Sequence, residues 1–305
     1  MKGRPPANLP ASIHQHLLNL RDQTGADFNQ LLTRYTLERL LYRLSQSPYA
    51  DQFILKGALL FATWTRHFHR PTQDLDLLGQ GDASAENVQA VFRHICQTEV
   101  EPDGLVFDPD SITIQQIKEG QTYESQRVHL LAHLGQANIQ VQIDIGYGDV
   151  VTPVVQKVNY PALLHLPAPQ VNAYPPETVV AEKLQAMVAL GMQNSRMKDF
   201  YDLWLMARDL SFDGEVLVEA IRATFDRRKT NIPDDTPTAL SEAFASEGNK
   251  TTQWQAFLNR SGLEDAPSAL SATLDSLRMF ILPPLHAASS RATYKKSWQP
   301  GGPWL

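Results

Sequence analysis

The sequence predicts an α+β protein, with a mixed sheet and flanking helices over residues 1–175 and a helical region with an irregular tail over 176–305. Three patterns carry this. Apolar residues alternate in two short stretches, DLDL at 74–77 and NIQVQIDIGYG at 138–148, as half-buried strands require. Helical spacing of apolar residues dominates 26–47 and most of the chain after 176. Between the two regimes lies a connector holding Pro153, Pro161, Pro167, Pro169, Pro175 and Pro176.

Taken in order, 9–24 and 26–47 read as two helices, the second with Leu31, Leu32, Tyr35, Leu40, Leu41 and Leu44 near helical spacing and Asp27 as its cap. ILKGALLFATWT, from Ile54, reads as a helix entered through a Lys56-Gly57 turn. Asp74 to Leu77 is strand-like and ends at Gly79 and Gly81. Ser84 caps a helix over SAENVQAVFRHICQT. SITIQQIKE, SQRVHLLAHL and NIQVQIDIGYG are three strands; in the last, Ile139, Val141, Ile143 and Ile145 share one face and Gln140, Gln142, Asp144 and Gly146 the other. A helix opens on Pro176, and SRMKDFYDLWLMARDL is the next. Further helices are expected at 213–228, 237–246, 250–262 and 267–282, with irregular chain from Pro283.

Composition narrows the class. Hydrophobic residues at 43% and charged residues at 20% are the balance of a soluble globular chain. A formal net charge of −6 excludes a nucleic-acid binder that works by overall charge and leaves only a local basic patch. One cysteine, Cys96, set among apolar residues, excludes an intrachain disulfide and reads as a core residue. No apolar run approaches the roughly 20 residues that span a bilayer, and the N-terminus lacks an apolar signal core, so a cytoplasmic protein is expected.

The chemistry gathers at Asp74-Leu75-Asp76. Strand geometry points both carboxylates to one face while Leu75 and Leu77 enter the core. Two adjacent carboxylates repel unless they share a hard cation, although a solvated strand end has the same spacing. Asp144, on the polar face of an apolar strand, supplies a third acid, the arrangement of metal-assisted phosphoryl transfer. Lys56-Gly57 lies upstream at a distance that suits a strand-end turn, where glycine lets backbone approach a phosphate. Asp199 and Asp202 share a helix face, and Arg196 is spaced to pair with Asp199. His67 and His69 lack a third nitrogen or sulfur ligand for zinc; with Arg66 and Arg70 they suit an anion-facing loop. Arg227, Arg228 and Lys229, and Arg291, Lys295 and Lys296, are the best basic clusters.

These residues resemble the AbiEii/AbiGii toxin family of nucleotidyltransferases, in the DNA polymerase β superfamily. Lys56-Gly57-Ala58-Leu59-Leu60 with Arg70-Pro71-Thr72-Gln73-Asp74-Leu75-Asp76-Leu77 looks like its first motif, and Asp144 in QIDIGYGD like its second. Glu182-Lys183-Leu184 with Ala186 is similar to the third, and Ser195 to Leu203, SRMKDFYDL, to the fourth; the resemblance spans about 26–210. The superfamily places a hydroxyl or a second glycine after the turn glycine, where this chain has Ala58.

The resemblance implies a Mg²⁺-dependent type IV toxin that transfers a nucleoside monophosphate from a nucleoside triphosphate to an acceptor, the 3′ end of tRNA. Asp74, Asp76 and Asp144 would hold Mg²⁺, with Asp144 also orienting the acceptor hydroxyl. Lys56, Gly57, Ala58, Thr72, Lys183, Arg196 and Lys198 would surround the nucleotide, with Asp199 and Asp202 completing the catalytic set. A cognate antitoxin encoded nearby is expected to act without a stable complex. Two rivals share these residues: an enzyme modifying a small molecule or a protein, and a degenerate nucleotide-binding module, which Ala58 keeps in view.

Overall fold

The computed structural model describes residues 8–65, 70–119 and 123–305. Two compact units emerge, Met1–Gly148 with Gln156–Ala173, and Asp149–Val155 with Tyr174–Leu305.

The first unit opens with α1 (Leu9–Thr24), capped by the Asn8 side chain and stopped by Gly25 in the left-handed region. α2 (Phe28–Gln46) begins where Asp27 accepts a hydrogen bond from the Gln30 amide. Buried residues circle α2 from Tyr35 to Leu44, so its polar members need partners inside. Arg39 and Arg43 find one: Nε of Arg39 lies 3.0 Å and Nη1 of Arg43 2.6 Å from Asp103 Oδ2.

The sheet contains β1 (Phe53–Lys56), β2 (Asp74–Gly79), β3 (Leu105–Glu119), β4 (Tyr123–Leu134), β5 (Ala137–Tyr147), β6 (Gln156–Asn159) and β7 (Gln170–Ala173), in the order β3-β4-β5-β2-β1-β7-β6. Strands β3, β4 and β5 form an antiparallel meander. β2 runs parallel to β5 and antiparallel to β1. Between β1 and β2 come a 3₁₀ turn at Ala58–Leu60 and the short α3 (Phe61–Thr65); α4 (Ala85–Gln97), capped by Ser84, follows β2.

The second unit comprises α5 (Pro176–Leu190), α6 (Met197–Asp209), α7 (Gly214–Arg227), α8 (Glu242–Ser246), α9 (Gly248–Ser261) and α10 (Leu270–Ser289), with β8 (Phe212–Asp213) paired to β9 (Ser297–Trp298).

Three expectations need correction. Residues from Ile54 do not start a helix: Phe53–Lys56 is a strand, and helical chain begins only beyond Gly57. The proline-rich connector contains β6 and β7, which extend the sheet through the parallel pairing of β7 with β1. The chain from Pro283 is not irregular, because α10 continues through Pro283 and Pro284 to Ser289. Interior proline costs a helix about 3 kcal/mol, but Leu285 and Ala288 beyond it are buried and offset that cost. The tail then buries Trp298 and Trp304, whose indole N–H groups donate to the carbonyls of Ala207 and Phe280 at 2.7 and 2.9 Å.

Candidate active site

The parallel register of β2 on β5 places Asp76 beside Asp144 and Asp74 beside Gln142. Leu75, Leu77, Ile143 and Ile145 fill the core face, so all three aspartates emerge on the other, each partly exposed. One carboxylate oxygen from each of Asp74, Asp76 and Asp144 lies within 4.8 Å of the others. Oxygen-only donors, accessible and clustered at that spacing, fit a hard divalent cation such as Mg²⁺. The three acids read from spacing are thus brought together.

The neighbours of this cluster are specific. Lys56 lies opposite Asp76 in the antiparallel β1–β2 register. Its ammonium passes Gly146 so closely that a Cβ built there would sit 3.1 Å from Nζ. Gly57 adopts φ +76°, and a Cβ at that position would fall 1.9 Å from Asp76 Oδ2. The glycine is therefore required twice, for its backbone conformation and for the room it leaves a carboxylate. Thr72 donates its hydroxyl to Asp74 Oδ1, at 2.5 Å, which fixes that side chain. Ala58 is buried at the head of the 3₁₀ turn.

Arg127 was not among the residues that spacing singled out. Its Nε and Nη2 donate to Asp144 Oδ1 and Oδ2 at 2.7 and 2.6 Å, a bidentate fork. This pairing raises the already high guanidinium pKa, the Asp144 hydrogen bond contributing most and the charges of Asp74 and Asp76 adding to it. A sequence signal for it existed. Leu134 and Ala137 flank a two-residue turn that starts at Gly135, whose φ is +61°. Counting outward from that turn in antiparallel register puts Arg127 opposite Asp144.

In the second unit, Lys183 of α5 lies between two acids of α6, its Nζ 2.6 Å from Asp199 Oδ1 and 2.9 Å from Asp202 Oδ2. Asp199 and Asp202 are both buried, so they share a face as their spacing suggests, and Lys183 is the cation that face holds. Arg196, which ends just before α6, and Lys198 are exposed.

The basic run at 227–229 is not a uniform surface patch. Arg228 points inward, with Nη2 3.1 Å from both Asp149 oxygens and 3.3 Å from Glu182 Oε1, and Nη1 donating to Gln185 Oε1 at 3.0 Å. Arg227 and Lys229 are exposed, as are Arg291, Lys295 and Lys296. His67, His69 and Arg66 lie outside the described residues. Among the described residues no helix is long and apolar enough to cross a membrane.

The profile of a family described as nucleotidyl transferase AbiEii toxin, type IV toxin–antitoxin system, matches residues 39–276. No curated protein matches the chain. Among solved structures, the Helicobacter pylori protein JHP933 aligns at 13% identity and a TM-score of 0.47, over 86% of this chain and 90% of its own. A second H. pylori chain, provisionally termed a nucleotidyltransferase, aligns at 13% identity and a TM-score of 0.48, over 87% of this chain and 95% of its own.

Proposed function

The chain belongs to the AbiEii family of nucleotidyl transferase toxins, and from that premise we propose that it is a cytoplasmic, Mg²⁺-dependent enzyme moving a nucleoside monophosphate from a nucleoside triphosphate to the 3′ end of tRNA. The observation that carries this reading is the cluster of Asp74, Asp76 and Asp144, three carboxylates converging on one face of the sheet.

In this reading Asp74 and Asp76 hold the divalent cation, and Asp144 shares it while orienting the acceptor hydroxyl. The acceptor hydroxyl would give up its proton to solvent as its oxygen attacks the α-phosphorus, the bond from that phosphorus to the bridging oxygen would break, and pyrophosphate would leave. A divalent cation held by Asp74, Asp76 and Asp144 would supply Lewis acidity at the phosphates and would lower the pKa of the acceptor hydroxyl. Lys56 and the backbone at Gly57 and Ala58 lie beside Asp76, in position to receive phosphate oxygens, and Thr72 keeps Asp74 aimed. The family resemblance also assigns to the nucleotide Lys183, which Asp199 and Asp202 hold within the second unit, and the exposed Arg196 and Lys198.

A tRNA acceptor needs local positive charge, because the chain carries a net charge of −6. Arg228 is committed to Asp149 and Glu182. The exposed Arg227 and Lys229, and Arg291, Lys295 and Lys296, are the surface cations for that role. The family implies an antitoxin as partner, which in our reading acts without a stable complex.

The test is label transfer. Purified protein is incubated with each α-labelled nucleoside triphosphate and Mg²⁺, in separate reactions with tRNA, total protein and small metabolites. We expect label at the tRNA 3′ end, lost in EDTA, and lowered on the order of a thousandfold or more by Asp74→Asn or Asp76→Asn. Label confined to protein or metabolites would overturn the acceptor, and near-parental transfer by either variant would overturn the role of the triad.

A further inference from the structure

We propose that Arg127 is a resident counterion that holds Asp144 in the metal-free protein and competes with the divalent cation for it. The proposal rests on the reading of Asp74, Asp76 and Asp144 as a metal site, and deepens it.

Asp144 is engaged through both of its carboxylate oxygens. Arg127 takes both of its oxygens, at 2.7 and 2.6 Å, and Gln142 Nε2 lies 3.3 and 3.4 Å from the same two atoms. A carboxylate that ligates a metal usually receives its outer hydrogen bonds from groups that leave one oxygen clear for the ion. Here a planar, fully charged fork spans both oxygens in the geometry that carboxylate–guanidinium pairs prefer. A Mg²⁺ ion binds oxygen at about 2.0–2.1 Å, so Asp144 can join it only if the fork slides to one oxygen or swings away. Either way a cation of charge +2 meets a charge of +1 across a single carboxylate, at a separation well inside the Debye length.

The arrangement serves the acids before a cation binds. Three carboxylates with oxygens within 4.8 Å repel one another strongly. Arg127 neutralises one of them directly, and because it is carried on β4 opposite Asp144, the hairpin register aims it there. The consequence is a site that stays folded without metal and binds bare metal weakly. Entry of the cation together with the triphosphate is then favoured, since phosphate oxygens supply the additional negative charge that offsets Arg127. A guanidinium released from Asp144 is, in addition, a ready fork for a phosphate oxygen pair.

The test uses Mn²⁺ alone as the probe, without nucleotide, on the full chain carrying Arg127→Gln or Arg127→Lys. Free Mn²⁺ is measured by electron paramagnetic resonance, and thermal unfolding is followed in EDTA and in saturating Mn²⁺. Arg127→Gln should bind Mn²⁺ about tenfold more tightly than the parent, the low end of the range over which outer groups move metal affinity. Its melting temperature should fall in EDTA and be raised by Mn²⁺ by more than the parent's, a difference that general damage to the fold would not produce. Arg127→Lys, a cation without the planar fork, should lie between the two and decides the matter if Arg127→Gln does not fold. Unchanged or weaker Mn²⁺ binding in the variants would make Arg127 a supporting group and overturn the proposal. Asp76→Asn is the control for the underlying reading: if it leaves parental Mn²⁺ binding unaltered, the metal site itself falls, whatever Arg127 does.

Discussion

Lys183→Met is the substitution whose outcome separates two roles that one side chain can play. Lys183 is the partner of Asp199 and Asp202; the three side chains are 14%, 7% and 1% exposed, with contacts of 2.6 and 2.9 Å. Removing the ammonium leaves two carboxylates facing each other, one of them shut off from water. Breaking a buried ion pair by deleting one partner costs about 3–5 kcal/mol, which for a chain of this size lowers the melting temperature by roughly 5–8 °C. The thioether of Met fills the space but cannot hydrogen-bond either acid. Lys183→Met/Asp202→Asn then removes the charge that is hardest to leave unpaired, and at least half of the lost stability should return. Chemical denaturation of parent, single and double variants measures this, and labelled-nucleotide transfer is run on the same samples. If Lys183 contacts the triphosphate, the double variant regains stability without regaining transfer, while Asp202→Asn alone, which keeps the ammonium, still transfers label. Recovery of both would reduce Lys183 to a structural cation. A single variant within about 1 kcal/mol of the parent would refute the reasoning from burial altogether.

Two further outcomes follow from the other unit. Gly57→Ala should destabilise by about 2 kcal/mol or more and abolish Mn²⁺ binding by titration, because φ +76° is unfavourable for Ala and its methyl would lie 1.9 Å from Asp76 Oδ2 and 2.7 Å from Asp76 Cβ; rotating the Asp76 side chain cannot relieve the second clash, and parental metal affinity would count against the close approach. Burial pushes the Glu38 carboxyl up from 4.5 to about 7, so its contribution to stability is full below pH 4.5 and is lost as pH rises through 7, about 3 kcal/mol in all; between pH 5 and 8 the stability of the parent relative to Glu38→Gln should fall by most of that amount in urea titrations, and a pH-independent difference would show that Glu38 stays ionised beside Arg39.

The elements legible in the sequence are those whose local signals agree. Asp27, Ser84 and Pro176 open their helices where capping chemistry says they should. β5 alternates without a break, so its buried and polar faces can be assigned residue by residue. β1 was hidden because its apolar residues run on into the apolar turn and helix beyond Gly57, with no change of period to mark the end of the strand. β6 and β7 have four residues each and depend on β1 for their place, a long-range pairing that local pattern does not record. The same division holds in the candidate site. Asp74 and Asp76 declare a shared face through their spacing alone. Arg127 and Asp144 are 17 residues apart, and their pairing becomes visible only after the hairpin register is set. Arg228 belongs to a short basic run that looks like surface, and its burial against Asp149 and Glu182 comes from tertiary packing.

Register also explains why the acids can be assembled without a dedicated loop. In the β2–β5 pair Leu75 lies beside Ile143 and Leu77 beside Ile145, and all four are at most 1% exposed. A slip of either strand by one residue would turn Asp74 and Asp76, or Asp144, into that apolar layer and expose its leucines or isoleucines. Burying one unpaired carboxylate costs several kcal/mol, and exposing two large aliphatic side chains adds about 1.5–3 kcal/mol for each. The core pattern therefore selects the single register in which Asp76 faces Asp144 across a strand spacing of about 4.8 Å. The same register carries Lys56 to Asp76 through β1 and Arg127 to Asp144 through β4, so each of these two acids has a cation on the strand flanking it. Like-charge repulsion among the carboxylates is thus opposed by the hydrophobic layer beneath them and by one cation from either side, and the geometry of the site follows from the packing of its sheet.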